Sequence, residues 1–152
     1  MALDEAIFPT EMLMTRDDYE HLASISGSIL VVATEGGRIV GAAFGFPADA
    51  VETDVRDNDP VFQTRPGEFY SYSVGVSLRD QGRGLGSRLV NMLALEAKRQ
   101  GWGFLSTHVR VRKGWASTMR ALFEPTHTRI VREYWKDPQE LMEYQLVDLS
   151  KL

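Results

Sequence analysis

The spacing of apolar and polar positions changes several times along the chain, and each change marks an element. A short helix is expected over residues 2–8 and another over 16–25. Thr15 with Asp17 and Asp18 suits the start of the second, and Ile25-Ser26-Gly27-Ser28 stops it. Ile29 to Thr34 then reads as a strand, Glu35-Gly36-Gly37 as a tight turn, and Arg38 to Phe46 as the return strand closed by Pro47. From Ala48 to Gly67 the chain is acidic, holds Pro60 and Pro66, and shows little periodicity, so a long surface loop or lid is expected.

Phe69 to Val76 alternates as a strand does, which places Tyr70, Tyr72, Val74 and Val76 on one face. Gly75 near its end marks a bulge or a close approach. A glycine-rich turn follows, then a helix through Arg99 whose apolar face is Leu85, Leu89, Leu93 and Ala97, with Met92 alongside. Gly101 ends that helix. Phe104 to Val111 reads as a strand and Trp115 to Phe123 as a short helix stopped by Pro125. Arg129–Trp135 and Leu141–Leu149 read as closing strands around Lys136-Asp137-Pro138.

A length of 152 residues suits one domain over 1–152, with a single core. Cysteine is absent, which removes disulfides, thiolate metal sites and a cysteine nucleophile together. The acidic N-terminus lacks the basic flank of a signal peptide and no apolar run approaches a membrane span, so a soluble cytoplasmic protein without membrane contact is expected. The net charge of −4 conceals an asymmetry: residues 1–68 carry four Lys/Arg against thirteen Asp/Glu, whereas residues 79–120 carry nine against two. A basic segment in an acidic chain points to a local anionic ligand rather than to nucleic acid.

The basic segment contains the motif that carries chemistry, Gln81-Gly82-Arg83-Gly84-Leu85-Gly86-Ser87, set between strand and helix. A helix start leaves backbone N–H groups without partners and bears partial positive charge. Glycines at 82, 84 and 86 admit a ligand close to the backbone, Arg83 and Arg88 add charge, and Ser87 adds a hydroxyl; together these suit a diphosphate. The glycines alternate, so the dinucleotide pattern G-x-G-x-x-G is not met, and no Gly-Lys-Ser/Thr follows as a P-loop requires.

What the segment does match is Q/R-x-x-G-x-G/A, here Gln81, Gly84 and Gly86 directly after Val74-Gly75-Val76. This resembles the pantetheine and diphosphate motif of the GNAT N-acetyltransferase superfamily. The resemblance extends as an ordered set of elements from about Ser28 to Phe123: the hairpin resembles that family's second and third strands, Tyr70–Val76 its fourth, Leu85–Arg99 its third helix and Phe104–Val111 its fifth strand. It implies an α/β (α+β) fold with a mixed, mostly antiparallel sheet, splayed fourth and fifth strands, and helices on both faces. It further implies acetyl-CoA as co-substrate and no metal. Gln81, Gly82, Arg83, Gly84, Leu85, Gly86 and Ser87 would hold the diphosphate, and Val74 and Val76 the pantetheine arm and the acyl carbonyl. The implied activity is acetyl transfer to a primary amine, by direct attack on the thioester. A homodimer accords with family habit.

Two departures stand out. Where the family commonly carries a tyrosine that protonates the departing thiolate, this chain has Phe123, which has no proton to give. The family's usual first strand has no counterpart either. Candidate bases are Glu68, at the start of the fourth strand and otherwise a solvated loop-end acid, and His108, late in the fifth strand. Tyr70 could shape the acceptor pocket or donate a proton. The acidic first half suggests a cationic acceptor. A non-catalytic acyl-CoA-binding sensor and an interaction domain with an incidental glycine turn are the alternative readings.

Overall fold

The computed structural model describes residues 16–152; the helix expected over 2–8 and the question of a preceding strand lie outside the described residues. Among the described residues six strands form one sheet: β1 (Ile29–Glu35), β2 (Arg38–Pro47), β3 (Glu68–Val76), β4 (Phe104–Arg110), β5 (His127–Arg132) and β6 (Leu141–Asp148), in the spatial order β1-β2-β3-β4-β6-β5. All pairings are antiparallel except β3 with β4. The hairpin turn lies at Gly36 and Gly37, with φ of 55° and 75°, the left-handed pair a two-residue turn requires.

Among the described residues four helices cover the two faces: α1 (Arg16–Ser24), α2 (Glu52–Arg56), α3 (Leu85–Arg99) and α4 (Trp115–Phe123). On one face α3 and α4 bury Leu89, Val90, Leu93, Met119 and Phe123 against Ala43, Phe69, Leu105 and Val147 of the sheet. Each such aliphatic burial contributes about 1.5–3 kcal/mol relative to exposure, so α3 is firmly fixed. Its buried stripe keeps Leu89, Leu93 and Ala97 of the expected face, adds Val90 and Ala94, and leaves Met92 exposed.

The opposite face corrects the expectation of a surface loop over 48–67. Residues 48–51 make a 3-10 turn that runs into α2, and Ala48, Val51, Val55 and Phe62 are buried with Leu22, Phe46, Tyr70 and Tyr144. Val51 and Val55 lie four apart, one helical turn, so a short acidic helix presents an apolar edge to the sheet. The final strands also differ: β5 ends at Arg132, and Tyr134–Lys136 forms a 3-10 turn.

The alternation in β3 is broken. Phe44 pairs with Ser73 and Gly45 with Ser71, so Tyr72 is an extra residue on β3. A one-residue insertion reverses the facing of everything beyond it. Tyr70 and Tyr72 therefore face the α1–α2 layer, where Tyr72 stacks on Phe44, whereas Val74 and Val76 pack toward α3. The four do not share a face, and the bulge sits at Tyr72 rather than Gly75.

Candidate functional site

The cleft begins where β3 leaves β4. The two strands pair over only four residues, Glu68–Ser71 with Phe104–Thr107, and the Thr107 hydroxyl donates to the Ser71 carbonyl at 3.0 Å at the last pair. Beyond it β3 continues on β2 and β4 continues on β6, each keeping one bonded edge. The opposing edges, Tyr72–Val76 and His108–Arg110, border a cleft of about 1120 Å³. Backbone polar groups along these edges need partners from elsewhere.

One end of the cleft is the glycine turn. Gly82 and Gly84 have φ of 77° and 74°, the left-handed region that glycine enters without cost, while Gly86 lies where a Cβ would come within 3.3 Å of the Trp115 ring. Backbone shape thus favours glycine at 82 and 84, and the approach of α4 favours it at 86. Gly84 opens α3 with no side-chain cap. Among the described residues no protein acceptor meets the backbone N–H of residues 82–87, and the first turn bond is Arg88 N–H to the Gly84 carbonyl.

Side chains of the turn behave differently from the sequence reading. Arg83 donates to Glu35 at 2.8 Å and to Asp80 at 3.1 Å, and Arg38 reaches Asp80 at 3.2 Å. The Arg83 charge is therefore spent on the hairpin and not offered to the cleft. Its hydrogen bond holds the Glu35 carboxyl below the usual range. Gln81 donates to the Val76 carbonyl at 3.0 Å and braces the end of β3. Leu85, Gly86 and Ser87 line the cleft, as do Val74 and Val76.

Of the three candidate acid–base residues, the fold brings two together. Glu68 sits at the zipped end of the β3–β4 pair, outside the cleft lining, and is buried rather than solvated. It is covered because Arg65 turns back over it: Glu68 Oε2 accepts from the Arg65 N–H at 3.2 Å, and the Ser106 side chain lies beside the carboxyl. Burial raises its pKa.

Tyr70 and His108 both line the cleft at the fork, with the phenol oxygen 2.7 Å from Nδ1. His108 Nε2 lies 2.8 Å from Asp59 Oδ2, and Arg129 holds both Asp59 oxygens at 2.9 and 2.5 Å. Burial lowers the His108 pKa despite the carboxylate beside it. Burial alone would raise that of Asp59, but hydrogen bonds from His108 and Arg129 outweigh it and hold it at about 2.

Asp59 and Arg129 were not among the sequence-derived candidates. They lie 49 and 70 residues from the groups they touch, Asp59 in a segment without periodicity and Arg129 on β5. The mouth of the cleft holds further groups: Tyr72, Tyr134, Trp135, Asp18, Asp54, Arg110 and Arg112. Trp135 is left-handed at φ 56°, flanked by Glu133 at 55° and Lys136 at 57°, and its N–H is held by Asn58 Oδ1 at 3.0 Å. Arg110 lies over its ring at 5.0 Å. Strained non-glycine backbone of this kind gathers at functional sites. From α4, Trp115 and Met119 face the cleft, whereas Phe123 is buried in the core, so α4 supplies no acidic hydroxyl here.

Among the described residues no group of three or more His, Cys, Asp or Glu is placed to hold a metal ion, and no helix is long and apolar enough to cross a membrane. Residues 2–139 match the profile described as the acetyltransferase (GNAT) family. No curated protein sequence matches the chain. Solved structures of the same fold include the ribosomal-protein-alanine N-acetyltransferase of Brucella melitensis, at 19% identity and TM-score 0.68, covering 97% of this chain and 87% of that one. An aminoglycoside 6'-N-acetyltransferase complexed with coenzyme A shares 12% identity at TM-score 0.64, covering 88% and 78%. A GNAT family acetyltransferase from Elizabethkingia anophelis with acetyl-CoA bound shares 14% at TM-score 0.59, covering 88% and 83%.

Proposed function

Since this chain belongs to the GNAT acetyltransferase family, we propose that it moves an acetyl group from acetyl-CoA to a primary amine. The observation that carries this reading is the fork after Ser71 and Thr107, which opens into a cleft ending at unpartnered N–H groups. The donor set fits the group chemically. N–H groups of residues 82–87 at the uncapped start of α3 suit a diphosphate. The unpaired β3 edge through Val74 and Val76 suits an amide-rich arm lying beside it as an added strand would. Acetyl-CoA supplies an activated thioester when bound.

The residues of the chain then have two tasks, to orient the thioester carbonyl and to free the amine of its proton. A backbone N–H on the open stretch of β3 is suited to the oxyanion; losing one such donor costs about 2.7–4 kcal/mol in other enzymes. Tyr70 and His108 stand at the fork where an amine enters.

The acceptor we favour is cationic. Asp18 and Asp54 both bear on the Tyr72 hydroxyl, adding to the effect of burial in raising its pKa, and Tyr134 and Trp135 present aromatic rings beside them. Aromatic faces and carboxylates together suit an ammonium group. One solved structure of the same fold is an aminoglycoside 6'-N-acetyltransferase.

Steady-state release of CoA from acetyl-CoA tests the reading, with spermidine, an aminoglycoside, a lysine peptide, glycine and glutamate as acceptors. Turnover that is faster with the polycations at low salt supports it. CoA binding without turnover on any amine would favour a sensor instead, a role that the burial of Phe123 away from the cleft makes worth testing.

A further inference from the structure

We propose that His108, oriented by Asp59, is the base that takes the proton from the acceptor ammonium, and that Tyr70 is the conduit between them. This rests on the acyl-transfer reading above. Four side chains from four separate segments form one line: Arg129 on β5, Asp59 after α2, His108 on β4 and Tyr70 on β3. The line ends at the fork, with Tyr70 and His108 on the cleft wall.

Hydrogen-bond logic fixes the direction of the line. Asp59, ionised and held by Arg129, can only accept, so His108 Nε2 carries a hydrogen. In the neutral imidazole Nδ1 is then the acceptor, and the Tyr70 hydroxyl must donate to it. The Tyr134 hydroxyl also bonds the phenol, so with its own hydrogen on Nδ1 the Tyr70 oxygen accepts from Tyr134 and keeps one lone pair for a ligand N–H. A ligand N–H placed there meets an acceptor backed by a base, and the base is backed by a carboxylate.

The proton transfer balances. An ammonium N–H passes its proton to the Tyr70 oxygen as the phenol passes its own to Nδ1, giving a neutral amine, an intact phenol and an imidazolium against the Asp59 carboxylate. The amine lone pair forms the C–N bond, and the C–S bond breaks. The ammonium surrenders two protons in all, one to His108 through Tyr70 and one to the departing sulfur. The imidazolium proton returns through the phenol to solvent.

The surroundings set the basicity. Titratable or charged groups face the imidazole from every packed element: Tyr70 of β3, Asp59, Arg129 of β5, Tyr134 of the following turn and Tyr144 of β6. Burial lowers the His108 pKa, Asp59 opposes this, and Arg129 reinforces it. The ring is thus neutral near pH 7 and able to accept, as a base must be.

A purely structural network would tie the 57–67 segment to the sheet and leave turnover alone, and Tyr70→Phe separates the two roles. It removes one oxygen and leaves the His108–Asp59–Arg129 bonds intact. With the best acceptor of the amine panel, the relay predicts that Tyr70→Phe and His108→Gln each lower kcat by about 10²–10⁴-fold. The KM for acetyl-CoA and the calorimetric affinity for CoA stay at wild-type values. The acid limb of the wild-type kcat profile should disappear in His108→Gln and move to lower pH in Asp59→Asn, where the imidazolium loses its carboxylate. Nitrogen NMR of the wild type, which needs no acceptor, should show His108 at pH 7 as neutral with hydrogen on Nε2. Undiminished kcat in Tyr70→Phe, or hydrogen on Nδ1, overturns the relay while leaving acetyl transfer standing. Wild-type protein that binds no CoA, or turns over no amine, overturns the functional reading and the relay with it.

Discussion

The Thr107 hydroxyl donates to the Ser71 carbonyl at 3.0 Å, and this bond marks the end of contact between two strands that the sequence places far apart. Beyond that point one strand edge leads to the glycine turn and the other to His108 and Arg110. Replacing Thr107 by Val keeps the shape and removes the bond. Loss of about 1 kcal/mol is expected, read as a fall in Tm of roughly 2–4 °C. An unchanged Tm would mean that the fork is set elsewhere.

Arg83→Gln should leave CoA affinity near the wild-type value, because its guanidinium is engaged by Glu35 and Asp80 and turned from the cleft. Calorimetry with CoA decides this. A loss comparable to that caused by a carboxylate in the glycine turn would show that Arg83 leaves its partners to meet the diphosphate.

Glu68→Gln separates a buried acid from a catalytic one. Burial raises the folded-state pKa above the ordinary 4.5, so between the two values the folded protein holds a proton that the unfolded chain has lost. Stability then falls as pH rises through that window. Thermal unfolding across pH should show the variant gaining on the wild type as pH rises from about 4.5, with no gain at lower pH, while kcat is unchanged. A drop in kcat would return Glu68 to the role of base.

Trp135→Gly removes a ring at the mouth of the cleft from a backbone that already has φ of 56°. Glycine occupies that conformation freely, so release of strain of about 1 kcal/mol offsets lost packing. The expected result is a higher KM for the amine, with CoA affinity and Tm held. An unchanged amine KM would remove Trp135 from the acceptor site.

The sequence made the β1–β2 hairpin legible because Glu35-Gly36-Gly37 can serve only as a tight turn between two apolar runs. The strand, glycine turn and α3 were legible for the same reason: local chemistry determines local shape. Val74 and Val76 were assigned to the wrong face because the bulge at Tyr72 depends on register with β2, which alternation within one strand cannot reveal. The 48–67 segment read as a loop because its apolar residues are few, yet Val51, Val55 and Phe62 among so many acids were the available signal of a buried side. Asp59 was one acid among many there. Only the fold carries it to His108, and Arg129 to both.

The central claim is that the N–H groups of residues 82–87 take the diphosphate of CoA at the uncapped start of α3. The direct measurement is calorimetric titration of CoA into wild type, Gly84→Asn and Gly84→Asp. Both substitutes tolerate the left-handed backbone at φ 74° and differ only in charge. The account predicts measurable binding in the wild type and in Gly84→Asn, and its abolition in Gly84→Asp. Equal affinity in the Asn and Asp variants would contradict it, because no anion could then be lying against that turn.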